Sequence, residues 1–181
     1  MGIEIERKFL TVNNSYKSAA TGSRHIMQGY LSVDPCRTVR VRIADNRAFI
    51  TVKGLSSRTA KEAPALSNTT SDATQSSAKA VTEKTDRADS RVEIEFEVDM
   101  ADAREMLKLA LGTIIDKTRY LVPYEGYLWE VDEFHGARQG LVVAEVELPS
   151  TDIMPPLPSF VGQEVTGDPL YYNSSLANPK S

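Results

Sequence analysis

Apolar and polar residues alternate with a period of two along most of the chain, the spacing of strands whose two faces meet different surroundings. The alternation predicts strands over 2–10, 26–34, 37–44, 47–54, 91–98, 114–122, 127–134 and 141–148. Turn residues separate several of them: Asp34-Pro35, Asp45-Asn46 and Glu125-Gly126 precede the third, fourth and seventh. The last two are joined by the short stretch Gly136 to Gly140. Links this tight connect antiparallel neighbours. One helix is expected around 13–21 and a second over 100–110, where Met100, Ala103, Met106, Leu107 and Ala110 share a face before Gly112 stops it. A short helical turn is expected near 157–163, with a further compact segment at 169–177.

Residues 55–90 break this pattern. They are rich in Ser, Thr, Ala, Lys and Asp and hold no aromatic residue. Such a stretch buries too little apolar surface to offset its ordering entropy, so it reads as a flexible insertion between the fourth and fifth strands. The remainder of 1–181 reads as one domain.

The polar face of these strands is almost entirely charge. Glu4, Glu6 and Lys8 alternate with Ile3, Ile5 and Phe9; Arg40 and Arg42 alternate with Val39, Val41 and Ile43. Lys53 ends the fourth strand on the parity of Phe49 and Thr51. Arg91, Glu93, Glu95 and Glu97 mark the fifth, Lys117 and Arg119 the sixth, Glu130 and Asp132 the seventh, and Glu145 and Glu147 the eighth. One reading is a sheet with a solvated face and loose cross-strand pairing. Against it, cations share strands with cations and acids with acids, with little of the Thr, Ser and Gln that a wet face carries. The other reading is an α+β, mainly β fold: a closed eight-stranded antiparallel barrel, charges inward and a few helices packed outside. Both signs at such density are unfavourable in a dry core but suit a lumen that takes a polyanion and divalent cations together.

Composition narrows the partners. Net charge −4 and a pI near 5.3 give no overall attraction to nucleic acid or an anionic membrane, so any anion site must be local. A single cysteine, Cys36, excludes an internal disulfide and fits a reducing compartment. The charged start at Glu4, Glu6, Arg7 and Lys8 is unlike a signal peptide, and no stretch has the roughly 18 apolar residues of a membrane span. A cytoplasmic protein is expected.

The motifs then resemble a family. Glu4-Ile-Glu6-Arg7-Lys8-Phe9-Leu10 is similar to the ExExK signature of the CYTH superfamily, the triphosphate tunnel metalloenzymes. Gln28-Gly29-Tyr30-Leu31, Arg40-Val-Arg42, the strand-ending Lys53-Gly54, Arg91-Val-Glu93-Ile-Glu95-Phe-Glu97 and Lys117-Thr-Arg119-Tyr120 follow in the family's order. Trp129-Glu130-Val-Asp132, Ala144-Glu145-Val-Glu147 and the closing segment from Glu164 to Asn173 complete the set. The resemblance implies a tunnel acting on a small triphosphate with divalent metals. It makes Glu4, Glu6, Asp132, Glu145 and Glu147 metal-ligand candidates, with Glu130 beside them. Lys8, Arg40, Arg42, Lys53, Lys117 and Arg119 become phosphate-binding candidates, and Arg91 lines the same lumen. The long 55–90 stretch departs from the family's short single-domain members.

On that reading two ions are expected, Mg²⁺ or Mn²⁺: one near Glu4 and Glu6 as a Lewis acid, one nearer Asp132 and Glu147 beside the attacking water. All-oxygen donors argue against zinc. The arginines would clamp phosphates and Lys8 would stabilise charge on the transferred group, which makes Lys8, Glu4, Glu6 and Glu147 the catalytic candidates. Inorganic tripolyphosphate is the expected substrate. An adenylate cyclase, a thiamine or nucleoside triphosphatase, and a non-catalytic polyphosphate-binding module are the alternatives. Cys36, His25 and His135 read as turn or strand-edge residues, Tyr30 as core or wall, and Trp129 as packing outside the lumen. Tyr171, Tyr172 and Asn173 are placed as a plug at one barrel end.

Overall fold

The computed structural model describes residues 2–34, 36–55 and 89–178. Most of the stretch read as an insertion, 56–88, lies outside them. Among the described residues the chain runs β1 (Gly2–Thr11), α1 (Tyr16–Ala19), β2 (Gly22–Ser32), β3 (Arg37–Ala44), β4 (Arg47–Leu55), β5 (Asp89–Val98) and α2 (Met100–Lys108). It continues with β6 (Leu111–Tyr124), β7 (Tyr127–Phe134), β8 (Val142–Glu147), β9 (Val161–Glu164) and α3 (Asn173–Leu176). Single 3-10 turns stand at Gly136–Arg138 and Pro169–Tyr171.

The strands pair in the order β5-β4-β3-β2-β6-β7-β8-β1, and β1 also pairs β5. The ends of the series therefore meet, and eight antiparallel strands form a ring. β1 closes it: its first half, Gly2 to Glu6, lies against β5, while Glu6 to Leu10 lies against β8 on its other edge. Tight turns explain the neighbours. Asp45 and Glu125 carry φ of 51° and 44°, the left-handed backbone of two-residue hairpins, and Gly126 follows at 84°.

The ladders also fix which side chains share a face. Reading opposite partners around the ring connects Lys8↔Glu145, Glu145↔Glu130, Asp132↔Arg119, Lys117↔Ile26, Gln28↔Arg42, Arg40↔Thr51 and Thr51↔Glu95. All the charged candidates whose side chains are described thus fall on the inner face, and the solvated-sheet reading fails.

The large apolar clusters lie outside the ring. Phe9, Val122, Trp129, Val131, Ala144 and Val146 pack beneath Tyr16 of α1 and Phe160. Phe160 and Phe9 meet the Trp129 ring at centroid distances of 6.3 and 5.5 Å. On the other side Val41 and Ala48 are covered by Ala103, Met100, Met106 and Leu107 of α2. That helix is capped by Asp99, whose side chain accepts from the Ala101 amide.

Two expectations are corrected. Residues 157–163 are not a helical turn: Val161–Glu164 is β9, which extends the sheet along the end of β1. The lumen is also not charged throughout. Tyr30, Ile115, Phe134 and Val143 form an apolar floor with Leu176, Ala177, Leu10 and Tyr171. Part of the floor comes from the C-terminal segment, as expected for a plug. Gly112 makes its docking possible, because at φ 69° a Cβ there would strike the Ala177 carbonyl.

Candidate active site

Above the apolar floor the barrel encloses a cavity of about 810 Å³. Its walls include Glu6, Lys8, Arg40, Arg42, Lys53, Arg119, Glu145 and Glu147, so eight of the sequence candidates meet in one space. Glu93, Glu95 and Glu130 line it too. Asp132 and Lys117 lie one layer back, both 0% exposed. The side chains of Glu4 and Arg91 lie outside the described residues; their backbones face each other across β1 and β5.

The charges are interleaved rather than segregated. Lys8 Nζ lies 2.6 Å from Glu145 Oε1 and 2.8 Å from Glu6 Oε1. Arg119 donates through Nε to Asp132 Oδ1 at 2.7 Å and through Nη2 to Glu145 Oε2 at 2.9 Å, and also pairs with Glu130. Lys117 pairs with the other oxygen of Asp132. Across the lumen Arg40 Nη2 donates to Thr51 Oγ1 at 3.1 Å, Thr51 donates to Glu95 Oε2 at 2.7 Å, and Lys53 Nζ lies 3.1 Å from Glu93. Thr51 was missed as a site residue because a lone threonine among charges carries no pattern. Arg42 makes no ion pair among the described residues.

These neighbours set the ionisation. Burial works to raise the Glu145 carboxyl, but Lys8 and Arg119 outweigh it and hold it well below its ordinary range. Asp132 is lowered in the same way by Arg119 and Lys117 against its own burial. Lys8 is raised, its burial outweighed by Glu145 and Glu6. Burial dominates for Lys117, pulled down to about 8, and for Arg42, pulled down to about 10 with Arg40 and Arg119 adding repulsion.

Among the described residues no three acidic, histidine or cysteine side chains form a preassembled metal cage. The donor set still fits a hard cation. Glu6 and Glu147 are opposite partners on the β1–β8 ladder, both at the cavity wall, and offer only oxygen. Mg²⁺ and its analogues need one or two protein carboxylates when phosphate oxygens and water complete the shell.

Cys36 is exposed. His25 pairs with Asp116 at 2.7 Å on the outside, and His135 Nε2 lies 2.8 Å from Thr118 Oγ1. None of the three lines the cavity. Trp129 is fully buried in the outer core. Tyr30, by contrast, reaches the inner face, where it is both floor and a polar neighbour of Gln28.

A ring of eight antiparallel strands with acids and bases interleaved in its lumen is a mixed-charge tunnel barrel. Residues 2–166 match the CYTH domain, and the chain belongs to that family. It is 38% identical over 181 residues to an inorganic triphosphatase of Acetivibrio thermocellus, covering 99% of this chain and 96% of that one. A crystal structure of an inorganic triphosphatase superposes with a TM-score of 0.57 at 26% identity, covering 98% of this chain and 95% of the other. The PH1012 protein of Pyrococcus horikoshii OT3 shares the fold at 18% identity and a TM-score of 0.53, over 82% of this chain and 80% of its own.

Proposed function

We propose that the chain is a metal-dependent triphosphatase that hydrolyses inorganic tripolyphosphate in the barrel lumen. The observation that carries this reading is the cavity wall itself, where Lys8, Arg40, Arg42, Lys53 and Arg119 meet Glu6, Glu145 and Glu147. Such a wall matches a ligand that is itself a polyanion carrying cations. The likeness to an inorganic triphosphatase across nearly the whole chain supports the same substrate class.

Phosphoryl transfer depends on positioning and charge neutralisation more than on covalent help from the protein. Arg40, Arg42, Lys53 and Arg119 hold phosphate oxygens, with Arg91 and Lys117 contributing positive charge to the same space. Lys8 stabilises charge on the transferred phosphoryl group as water adds to phosphorus and the bond to the leaving diphosphate oxygen breaks. Glu4, Glu6, Asp132, Glu145 and Glu147 would hold the metal, as two ions of Mg²⁺ or Mn²⁺. When bound, the ions supply Lewis acidity toward phosphate oxygen and polarise the attacking water. The internal ion pairs exchange for these partners as substrate enters, so the lumen stays neutralised in both states.

We place this activity in the cytoplasm, on a small-molecule substrate, with neither nucleic acid nor membrane as partner. The single cysteine and the net charge of −4 support this. No helix among the described residues is long and apolar enough to cross a membrane. The test is phosphate release from tripolyphosphate, ATP and thiamine triphosphate, each with Mg²⁺ and with Mn²⁺. Release is expected to be fastest from tripolyphosphate. Cyclic AMP from ATP would reassign the site as a cyclase, and tight binding without turnover would make it a binding module.

A further inference from the structure

Four buried side-chain polar atoms have no hydrogen-bond partner among the described residues: Gln28 Oε1, Arg40 Nε, Arg42 Nε and Trp129 Nε1. Folded proteins seldom leave such groups unpaired, and each orphan calls for a reason. Three of these four sit together. Gln28 is the ladder partner of Arg42, and Tyr30 on the same strand is the ladder partner of Arg40. Opposite residues on one face of antiparallel strands have Cβ atoms roughly 5 Å apart, within reach of an amide and a guanidinium. An orphan acceptor therefore stands on the same rung as an orphan donor.

Gln28 is 0% exposed and is not part of the cavity wall, whereas Arg40 and Arg42 are. Its Nε2 donates to the Tyr30 hydroxyl at 3.3 Å. The opposite amide orientation would leave a buried NH₂ unpaired instead, so one end of the side chain lacks a partner whichever way round it lies. The backbone holds it firmly in this place. Gly29 beside it faces outward against the end of α2, where a Cβ would come within 2.6 Å of Ala110 Cβ and 2.9 Å of Ile114 Cδ1. The missing Cβ at Gly29 thus lets the outer layer pack directly on β2, with Gln28 and Tyr30 on the inner face.

An apolar residue of similar shape would relieve the orphaned amide oxygen but also remove the bond to the Tyr30 hydroxyl, so the two effects offset. Arg42 needs support for a different reason. It is the lumen arginine without an ion pair among the described residues, and of its two ladder neighbours, Gln28 and Phe49, only Gln28 can hydrogen-bond to it. We infer that Gln28 is a positioning residue for the phosphate-binding arginines. With an anion in the cavity its amide oxygen accepts from Arg42 Nε, which turns the paired Nη edge toward the phosphate. This rests on the triphosphatase reading for the identity of the anion.

The test compares wild type with Gln28→Met and Gln28→Leu, alone and combined with Arg42→Lys, which lacks the Nε–H fork. The readouts are melting temperature without ligand, the upward shift of that temperature by tripolyphosphate, and KM against kcat. Gln28→Met is expected to melt within a few degrees of wild type, to lose most of the ligand-induced shift, and to raise KM about tenfold or more while kcat stays within about twofold. The tenfold corresponds to one hydrogen bond to a charged group. In the Arg42→Lys background the substitution is expected to change KM little further, as coupled residues require. A lower melting temperature with unchanged KM, or additive effects in the two backgrounds, would overturn the inference. If wild type releases no phosphate from tripolyphosphate, the functional reading fails, and the melting shifts with tripolyphosphate or orthophosphate still decide the role of Gln28.

Discussion

Lys8 and Glu145 face each other on one rung of the β1–β8 ladder, with Nζ 2.6 Å from Oε1. The pair joins the strand that closes the barrel to the last strand of its ring, so it bears on folding and on chemistry at once. Lys8→Met should lower turnover of tripolyphosphate by about 100-fold or more, as loss of a preorganised charge at a reacting group does. Glu145→Gln should destabilise the ligand-free protein by about 3 kcal/mol, because it strips a carboxylate from both Lys8 and Arg119. Urea unfolding with phosphate-release kinetics measures both.

Acid should expose the same carboxylate. Glu145 is held well below its ordinary range in the folded protein, so the unfolded chain takes up its proton first as pH falls. Its contribution is therefore complete above about pH 4.5 and is lost as pH drops through the folded value. Asp132 shares the direction. The urea midpoint should be nearly flat from pH 7 to 5 and decline steeply below. Glu145→Gln should start lower and decline less.

Metal dependence separates the two walls of the lumen. Chelation with EDTA should stop phosphate release, and added Mg²⁺ or Mn²⁺ should restore it. Glu4→Gln or Glu6→Gln should abolish metal-dependent turnover, and Glu147→Gln should raise the metal concentration for half-maximal rate about tenfold. Retained activity in the Glu6 variant would remove β1 from the metal site.

Trp129 offers an internal control on which face points inward. It is the single tryptophan and is packed between Phe9 and Phe160 outside the ring. Its emission should be blue-shifted, poorly quenched by iodide, and almost unchanged on titration with tripolyphosphate. A large change on binding would place the indole in the lumen and reverse the strand parity.

Much of this was legible in the chain because charge at every second position is a strong signal. The eight ring strands and α2 follow from that alternation and from the apolar face of Met100 to Leu107. β9 escaped because four residues, Val161 to Glu164, show too little alternation to register, and Gly162 is there for close approach to Leu10 and Val12. The apolar floor escaped for the opposite reason. Leu10, Ile115, Phe134 and Val143 keep the inward parity but look like outward residues when charge is the only criterion. Gln28 stood in the Gln28-Gly29-Tyr30-Leu31 motif without a role, because an uncharged amide is silent in a charge pattern; its importance emerges only from the partners it lacks.

β1 has a further consequence for how the chain reaches this state. Its edges wait for β5, β8 and β9, whose nearest pairing begins at Asp89. Contacts of such sequence separation form slowly. β1 therefore pairs late, after local hairpins such as β3–β4 and β6–β7 have formed. Its acid- and lysine-rich face keeps that waiting edge from recruiting other nascent chains.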